Sequence, residues 1–263
     1  MNNLIIDGDF WTIVLWFMSY SFLGWLWESI YRSINTKKLT NSGFLAGPFV
    51  PIYGFGALLY ILIMHFTLHP VLLFFIGGIL ACILEYITSW VLEKVFHARW
   101  WDYSKEFLNI NGRVCLIGFL AFAGFAVVLP YIQLGVGGLI NLLPYGWHIA
   151  VAIILLAIII FDTIKTASGL FKFNETLARY QSELERHAAP LMNFVRKHKQ
   201  IDKLYITKSK EKTREIITRQ QLRIIATFPS FKSIKYPEAF KKIRKFYEDS
   251  RFKPEKVETK KKK

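Results

Sequence analysis

The chain has 263 residues, 53% of them hydrophobic and 16% aromatic, with 34 Lys/Arg against 19 Asp/Glu and a formal charge of +15. That charge is unevenly placed: residues 1–165 hold eight basic and eight acidic residues, and residues 166–263 hold the remaining 26 and 11. Such a division excludes one uniformly soluble domain and describes an apolar body joined to a basic, water-facing tail.

The N-terminus, MNNLIIDGDF, carries no positive region before its apolar run, so the first apolar segment is expected to be a retained span rather than a signal peptide. Phe10 to Trp27 is free of charge and long enough for one helix across a core of ~30 Å. The next uncharged runs, 39–84 and 114–161, are each too long for a single span of ~20 residues. The first breaks best at His69-Pro70, and the second at Pro130, the glycines of 135–138 and Pro144. Five spans are therefore predicted, at about 9–31, 47–67, 71–96, 113–133 and 145–165, giving an all-α, polytopic membrane domain over 1–167. With an odd number of spans, the N-terminus lies outside when the basic tail is cytoplasmic. The loops at 32–43 and 94–113 then face inward and hold seven Lys/Arg, while segments 1–9, 65–70 and 134–146 hold none. This satisfies the positive-inside rule.

Between spans one and two, the stretch SGFLAGPFVPIYGFG departs from a plain helix start. Pro48 and Pro51 remove amide donors, and Gly47 and Gly54 loosen the backbone around Tyr53. An irregular, broken-helix start is expected, of the kind tolerated only where protein or a water-filled cavity surrounds it.

Span three contains Glu85, whose insertion near the bilayer centre costs at least ~2.5 kcal/mol and which must face protein or water. Ser89 and Glu93 follow at i+4 and i+8, giving a polar stripe on one face. Such a carboxylate either fixes helix packing or lines a path. Glu28, at the end of span one, stands at i+4 spacing from Arg32 and either pairs with it or joins Glu85 and Arg113 in a polar cluster. Glu93 has Lys94 and Arg99 as neighbours. Asp162 and Lys165 read as interfacial trim.

The loop FHARWWDYSKEFLNINGRVCL concentrates Trp100, Trp101, Asp102, Tyr103, Asn109, Asn111, Gly112 and Arg113. The tryptophans alone fit an interfacial belt. Asn111 and Gly112 suit a turn that places Arg113 at the membrane edge, within reach of Glu93 or Glu28. A fixed cytoplasmic cap over 97–113 is expected. Cys82 and Cys115 read as packing residues. His65 and His69 lack a third ligand, so no metal is expected. No phosphate-binding loop, hydrolase elbow or HExxH motif occurs, and neither a cofactor nor an ATPase activity is expected from this chain.

The tail divides into a basic helical part at 168–250 and a Lys-rich end at 251–263 expected to be disordered. Asn174 is a candidate N-cap, with a break at Pro190. The mixture SIKYPEAFKKIRKFYEDSRF favours anionic lipid headgroups over nucleic acid.

Taken in order, NSGFLAGPFVPIYGFGALL, LEYITSWVLEKVFHARWWDYS and NINGRVCLIGF resemble the ABC-transporter type IV permease family, also called CmpB-like, over about residues 12–165. The resemblance implies a multi-pass protein of the bacterial plasma membrane that serves as a permease subunit with a separate ATPase subunit, as a homodimer or with other membrane subunits. Its pattern falls on Gly47, Pro48, Pro51, Tyr53, Gly54, Glu85, Glu93, Trp100, Trp101, Asp102, Tyr103, Gly112 and Arg113. Two alternatives stand beside transport. One is a scaffold that presents the basic tail; the other is a lipid-directed enzyme at the cytoplasmic leaflet using Glu93, Asp102 and Arg113.

Overall fold

The computed structural model describes residues 8–37, 39–66, 68–195, 224–228 and 230–251, without the side chains of 183–195, 246 and 249–251. The Lys-rich end and the charged run before Arg223 lie outside the described residues. Among the described residues the longer helices are α1 (Phe10–Thr36), α2 (Pro51–Met64), α3 (Pro70–Phe96), α4 (Leu116–Asn141), α5 (Tyr145–Val195) and α6 (Pro237–Arg251). Of these, α1, α3, α4 and the first part of α5 are long and apolar enough to cross a membrane.

Helix α1 begins where Asp9 accepts the Thr12 amide at 3.0 Å, an N-cap that satisfies one orphan donor. It ends at Lys37 in the left-handed conformation. The predicted second span, 47–67, is helical only over the 14 residues of α2. At 1.5 Å per residue that is about 21 Å, short of a ~30 Å core. The cause lies upstream, where Pro51 starts the helix at N1 and residues 39–50 run as irregular backbone. That backbone is bound to α1: the Val50 amide reaches the Ser21 carbonyl at 2.9 Å, and the Ser42 amide reaches Ser29 Oγ at 3.2 Å. Gly54 allows α2 to lie this close. A Cβ there would stand 2.7 Å from the Phe17 carbonyl oxygen and would also collide with the Ser21 hydroxyl.

Helix α4 runs through Pro130 and the glycines of 135–138 to Asn141, eight residues beyond the expected end at 133. In apolar surroundings an open backbone has no water to bond, so the helix persists across residues that would end it in solvent. Helix α5 likewise continues beyond 165, through Asn174 and Pro190, to Val195. Asn174 is therefore interior rather than a cap; between Phe161 and Asn174 only the lone Gly169 opposes the helix. Small residues bring α3 and α4 together, with Gly77 against Ala126 and Gly78 against Ala123. The core draws Leu15, Met18, Tyr60, Ile61, Met64, Leu73 and Leu129 from four helices. Ile79, Ile83 and Ile87 form an exposed row on α3, as a lipid-facing surface requires. At one end, Tyr145 Oη donates to Asp9 at 2.7 Å and ties the start of α5 to the start of α1.

The chain divides into two compact units. The first comprises the residues up to Ser168 together with Thr227–Phe231. The second contains the later part of α5 and α6, where Phe173 meets Phe240 at 6.3 Å and the Ala239 amide donates to Gln181 at 3.2 Å.

Candidate functional site

The segment between α3 and α4 is a folded cap. His97 ends α3 in the left-handed conformation, and Leu108, Asn111 and Gly112 also have positive φ. Gly112 is required at φ 66°, since a Cβ there would lie 2.5 Å from Ser104 Oγ and 2.8 Å from Asp102 Oδ1. Asp102 accepts from the Ser104 amide and hydroxyl, Asn109 accepts the Gly112 amide at 3.1 Å, and the Tyr103 amide reaches the Gly112 carbonyl at 2.8 Å.

This turn delivers Arg113 into the protein, where it is buried. Its guanidinium contacts Glu93 at 2.9 Å, donates to Ser89 at 3.1 Å and lies over the Tyr86 ring at 5.6 Å. Asn111 donates to the Tyr86 hydroxyl at 2.9 Å, and Trp101 donates to the Arg113 carbonyl at 2.9 Å. Arg99 shares Glu93 at 3.0 Å and approaches Asp102 at 3.8 Å. The stripe of Ser89 and Glu93 thus ends on two arginines.

Trp100 is not a lipid-facing belt residue. It is 3% exposed and sits among Phe44, Phe96, Phe228 and Phe231, at centroid distances of 5.3–6.5 Å. Phe228 also lies under Arg32, whose guanidinium donates to the Thr227 carbonyl instead of pairing with Glu28.

Glu28 accepts from Tyr53 Oη at 3.1 Å. Glu85, buried in α3, has Tyr103 of the cap as an electrostatic neighbour, while its Oε2 has no hydrogen-bond partner. Burial and the Glu85 charge raise the Tyr103 hydroxyl well above the usual tyrosine value, so it remains a donor. Arg113 therefore does not join Glu28 and Glu85. The predicted single cluster is two: an ionic one at Glu93, and a carboxyl–tyrosine one deeper in the bundle. The second opens on a cavity of about 130 Å³ lined by Tyr20, Tyr53, Tyr60, Trp27, Phe122 and Glu85, among others.

The irregular stretch before α2 has an anchor that its sequence did not reveal. Asp162 of α5 is buried and accepts the Gly47 amide at 2.7 Å and the Ala46 amide at 3.3 Å. Its carboxylate is thus a buried anchor rather than interfacial trim. The signal was available in two unsatisfied amides beside Pro48 and a carboxylate in an apolar span, which need one another. Among the described residues no group of three His, Cys, Asp or Glu could hold a metal ion.

The family described as Putative ABC-transporter type IV matches residues 15–167, a region that includes the cap, both carboxyl clusters and the Asp162 anchor. Neither a curated protein nor a solved structure matches the chain.

Proposed function

Because the chain belongs to the Putative ABC-transporter type IV family, we propose that it is a permease subunit working with a separate nucleotide-hydrolysing subunit in a bacterial plasma membrane. In this reading α2, with its irregular lead-in, completes a five-span domain. The N-terminus is outside, and the 97–113 cap and the tail are cytoplasmic. The observation that carries the reading is Glu85, a carboxyl buried in an apolar helix and on the wall of a cavity, with its Oε2 unpartnered. An ionisable group so placed marks a substrate path. Tyr103 belongs to the cap and interacts electrostatically with Glu85, so a partner that moves the cap changes the surroundings of that carboxyl.

Glu93, Asp102 and Arg113, the groups a lipid-directed enzyme would use, are engaged with one another's partners Arg99, Ser89 and Ser104. The permease reading asks for no free acid or base there. The basic residues of the tail supply attraction to anionic lipids, each contributing about 1 kcal/mol near the surface. A homodimer would complete a transport pathway from two such domains.

Affinity purification from native membranes tests the reading. A nucleotide-binding subunit should co-elute with the full chain, and its ATPase activity should fall when the cap is altered. Repeated recovery of the chain without any such subunit would overturn the permease assignment and favour a scaffold.

A further inference from the structure

The cavity beside Glu85 combines two chemistries that seldom meet by accident. Its walls are aromatic: Tyr20, Tyr53, Tyr60, Trp27, Phe122 and Phe125 contribute to them. The hydroxyls of the three tyrosines are committed elsewhere. Tyr20 donates to Gln133 at 2.7 Å, Tyr53 to Glu28 at 3.1 Å and Tyr60 to the Phe122 carbonyl at 3.3 Å. What they offer the cavity is therefore their rings. The sole carboxyl on the wall is Glu85, which is 6% exposed, with Oε2 unpartnered. Among the described residues no cation pairs with it, because Arg113 and Arg99 are held on Glu93.

A buried carboxyl is either protonated or balanced by a counter-charge, and when it is ionised the surrounding aromatic rings favour a cation whose charge is spread over an apolar shell. A hydrated metal ion would meet too few oxygens here, and an anion would meet the carboxylate. The volume, about 130 Å³, is close to the ~150 Å³ that admits benzene in an engineered core and roughly ten times what one water needs. Trp27 and Phe125, in edge contact at 5.8 Å and both exposed on their outer sides, form the rim between α1 and α4.

We propose that this cavity binds a small organic cation, a quaternary ammonium or protonated amine with a compact hydrocarbon shell, with Glu85 as counter-ion and the tyrosine and tryptophan rings as its walls. The proposal rests on the permease reading and gives that site a substrate class. The same ammonium chemistry is carried by free solutes and by lipid headgroups.

The full chain purified in maltoside detergent is titrated with labelled choline. Saturable binding is expected, displaced by tetramethylammonium and not by the uncharged isostere in which carbon replaces the quaternary nitrogen. Glu85→Gln should weaken it at least tenfold. Gly56→Leu supplies a second variant that keeps the carboxylate: a Cβ at Gly56 meets only Leu84 Cδ2 at 3.7 Å, and the longer side chain then enters the cavity. It should abolish binding while leaving the unfolding transition in place, so the test survives if Glu85→Gln fails to fold. Displacement of choline by a short-chain phosphatidylcholine assigns the cation to a lipid headgroup; indifference to that lipid assigns it to a free solute. Absence of saturable binding, equal binding by the folded Glu85→Gln or Gly56→Leu protein, or equal displacement by the uncharged isostere overturns the proposal. A nucleotide-binding subunit that still co-elutes in that event leaves the permease reading standing without the cation.

Discussion

Arg113→Ala isolates the bond that holds the cap to α3. The side chain is 8% exposed and loses three things at once: the Glu93 contact at 2.9 Å, the Ser89 bond at 3.1 Å and the Tyr86 ring at 5.6 Å. Breaking a buried ion pair outright costs about 3–5 kcal/mol, because the surviving charge is stranded. Here Glu93 keeps Arg99 at 3.0 Å, so the stranding is partial. A single charge-assisted bond contributes about 1.5–3 kcal/mol, and the expected loss is about 2–3 kcal/mol. Arg99 is more exposed, at 22%, and its removal should cost about 1 kcal/mol or less. Unfolding by sodium dodecyl sulfate in mixed micelles measures both, and cycles with Glu93→Gln separate the pairwise terms. Coupling of about 1.5–2.5 kcal/mol is expected for Arg113 with Glu93, against less than about 1 kcal/mol for Arg99 with Glu93. A larger coupling for Arg99, or an Arg113→Ala protein within about 0.5 kcal/mol of the parent, would refute the assignment of Arg113 as the buried fastener.

Asp162→Ala leaves the amides of Ala46 and Gly47 without their acceptor and should destabilise the protein by about 1–3 kcal/mol in the same micelle assay. Asp162→Asn, which keeps an acceptor oxygen, should fall between; an unchanged alanine variant would mean that the anchor carries nothing. At the other end, hydrogen bonds from Thr12 and Tyr145 hold the Asp9 carboxyl below its ordinary value. A depressed carboxyl stabilises the folded state above its unfolded value, and that contribution is lost as pH falls through the folded value. The difference in melting temperature between parent and Asp9→Ala should therefore be largest near neutral pH and shrink below about pH 4. A difference that stays constant into acid would exclude the charged cap.

The features legible in the sequence were those written in local spacing. Helix α3 lies at 70–96 where 71–96 was expected, since an uncharged run bounded by Pro70 and a charged loop leaves little choice. The burial of Glu85 follows from its place in the middle of an apolar span, and of the two acids that the Asn-Gly turn puts within reach of Arg113, Glu28 and Glu93, the structure pairs it with Glu93. What escaped were pairings between distant positions. Asp162 with Gly47, Tyr53 with Glu28 and Trp100 with Phe231 join different elements, and no periodicity announces them. Chain breakers act differently in two places. Pro130 sits inside α4 because an apolar medium enforces the helix, whereas α2 starts only at Pro51, because Asp162 and the Ser21 carbonyl bind the amides of Gly47 and Val50 in the irregular stretch around Pro48.

The segment Thr227–Phe231 has a further consequence. It meets Arg32 at the end of α1, the Asn41 carbonyl in the lead-in to α2, and Trp100 in the cap. In the proposed topology these three places lie in the two basic loops, and their shared packing on Thr227–Phe231 ties the end of α1, the lead-in to α2 and the cap to one side as a single choice rather than several. Inverting any one helix during insertion would carry its basic loop away from the others and strand Trp100 without its aromatic neighbours. Mixed orientations are thereby penalised by packing as well as by charge. One chemical label on the cap reports the sidedness of all of them.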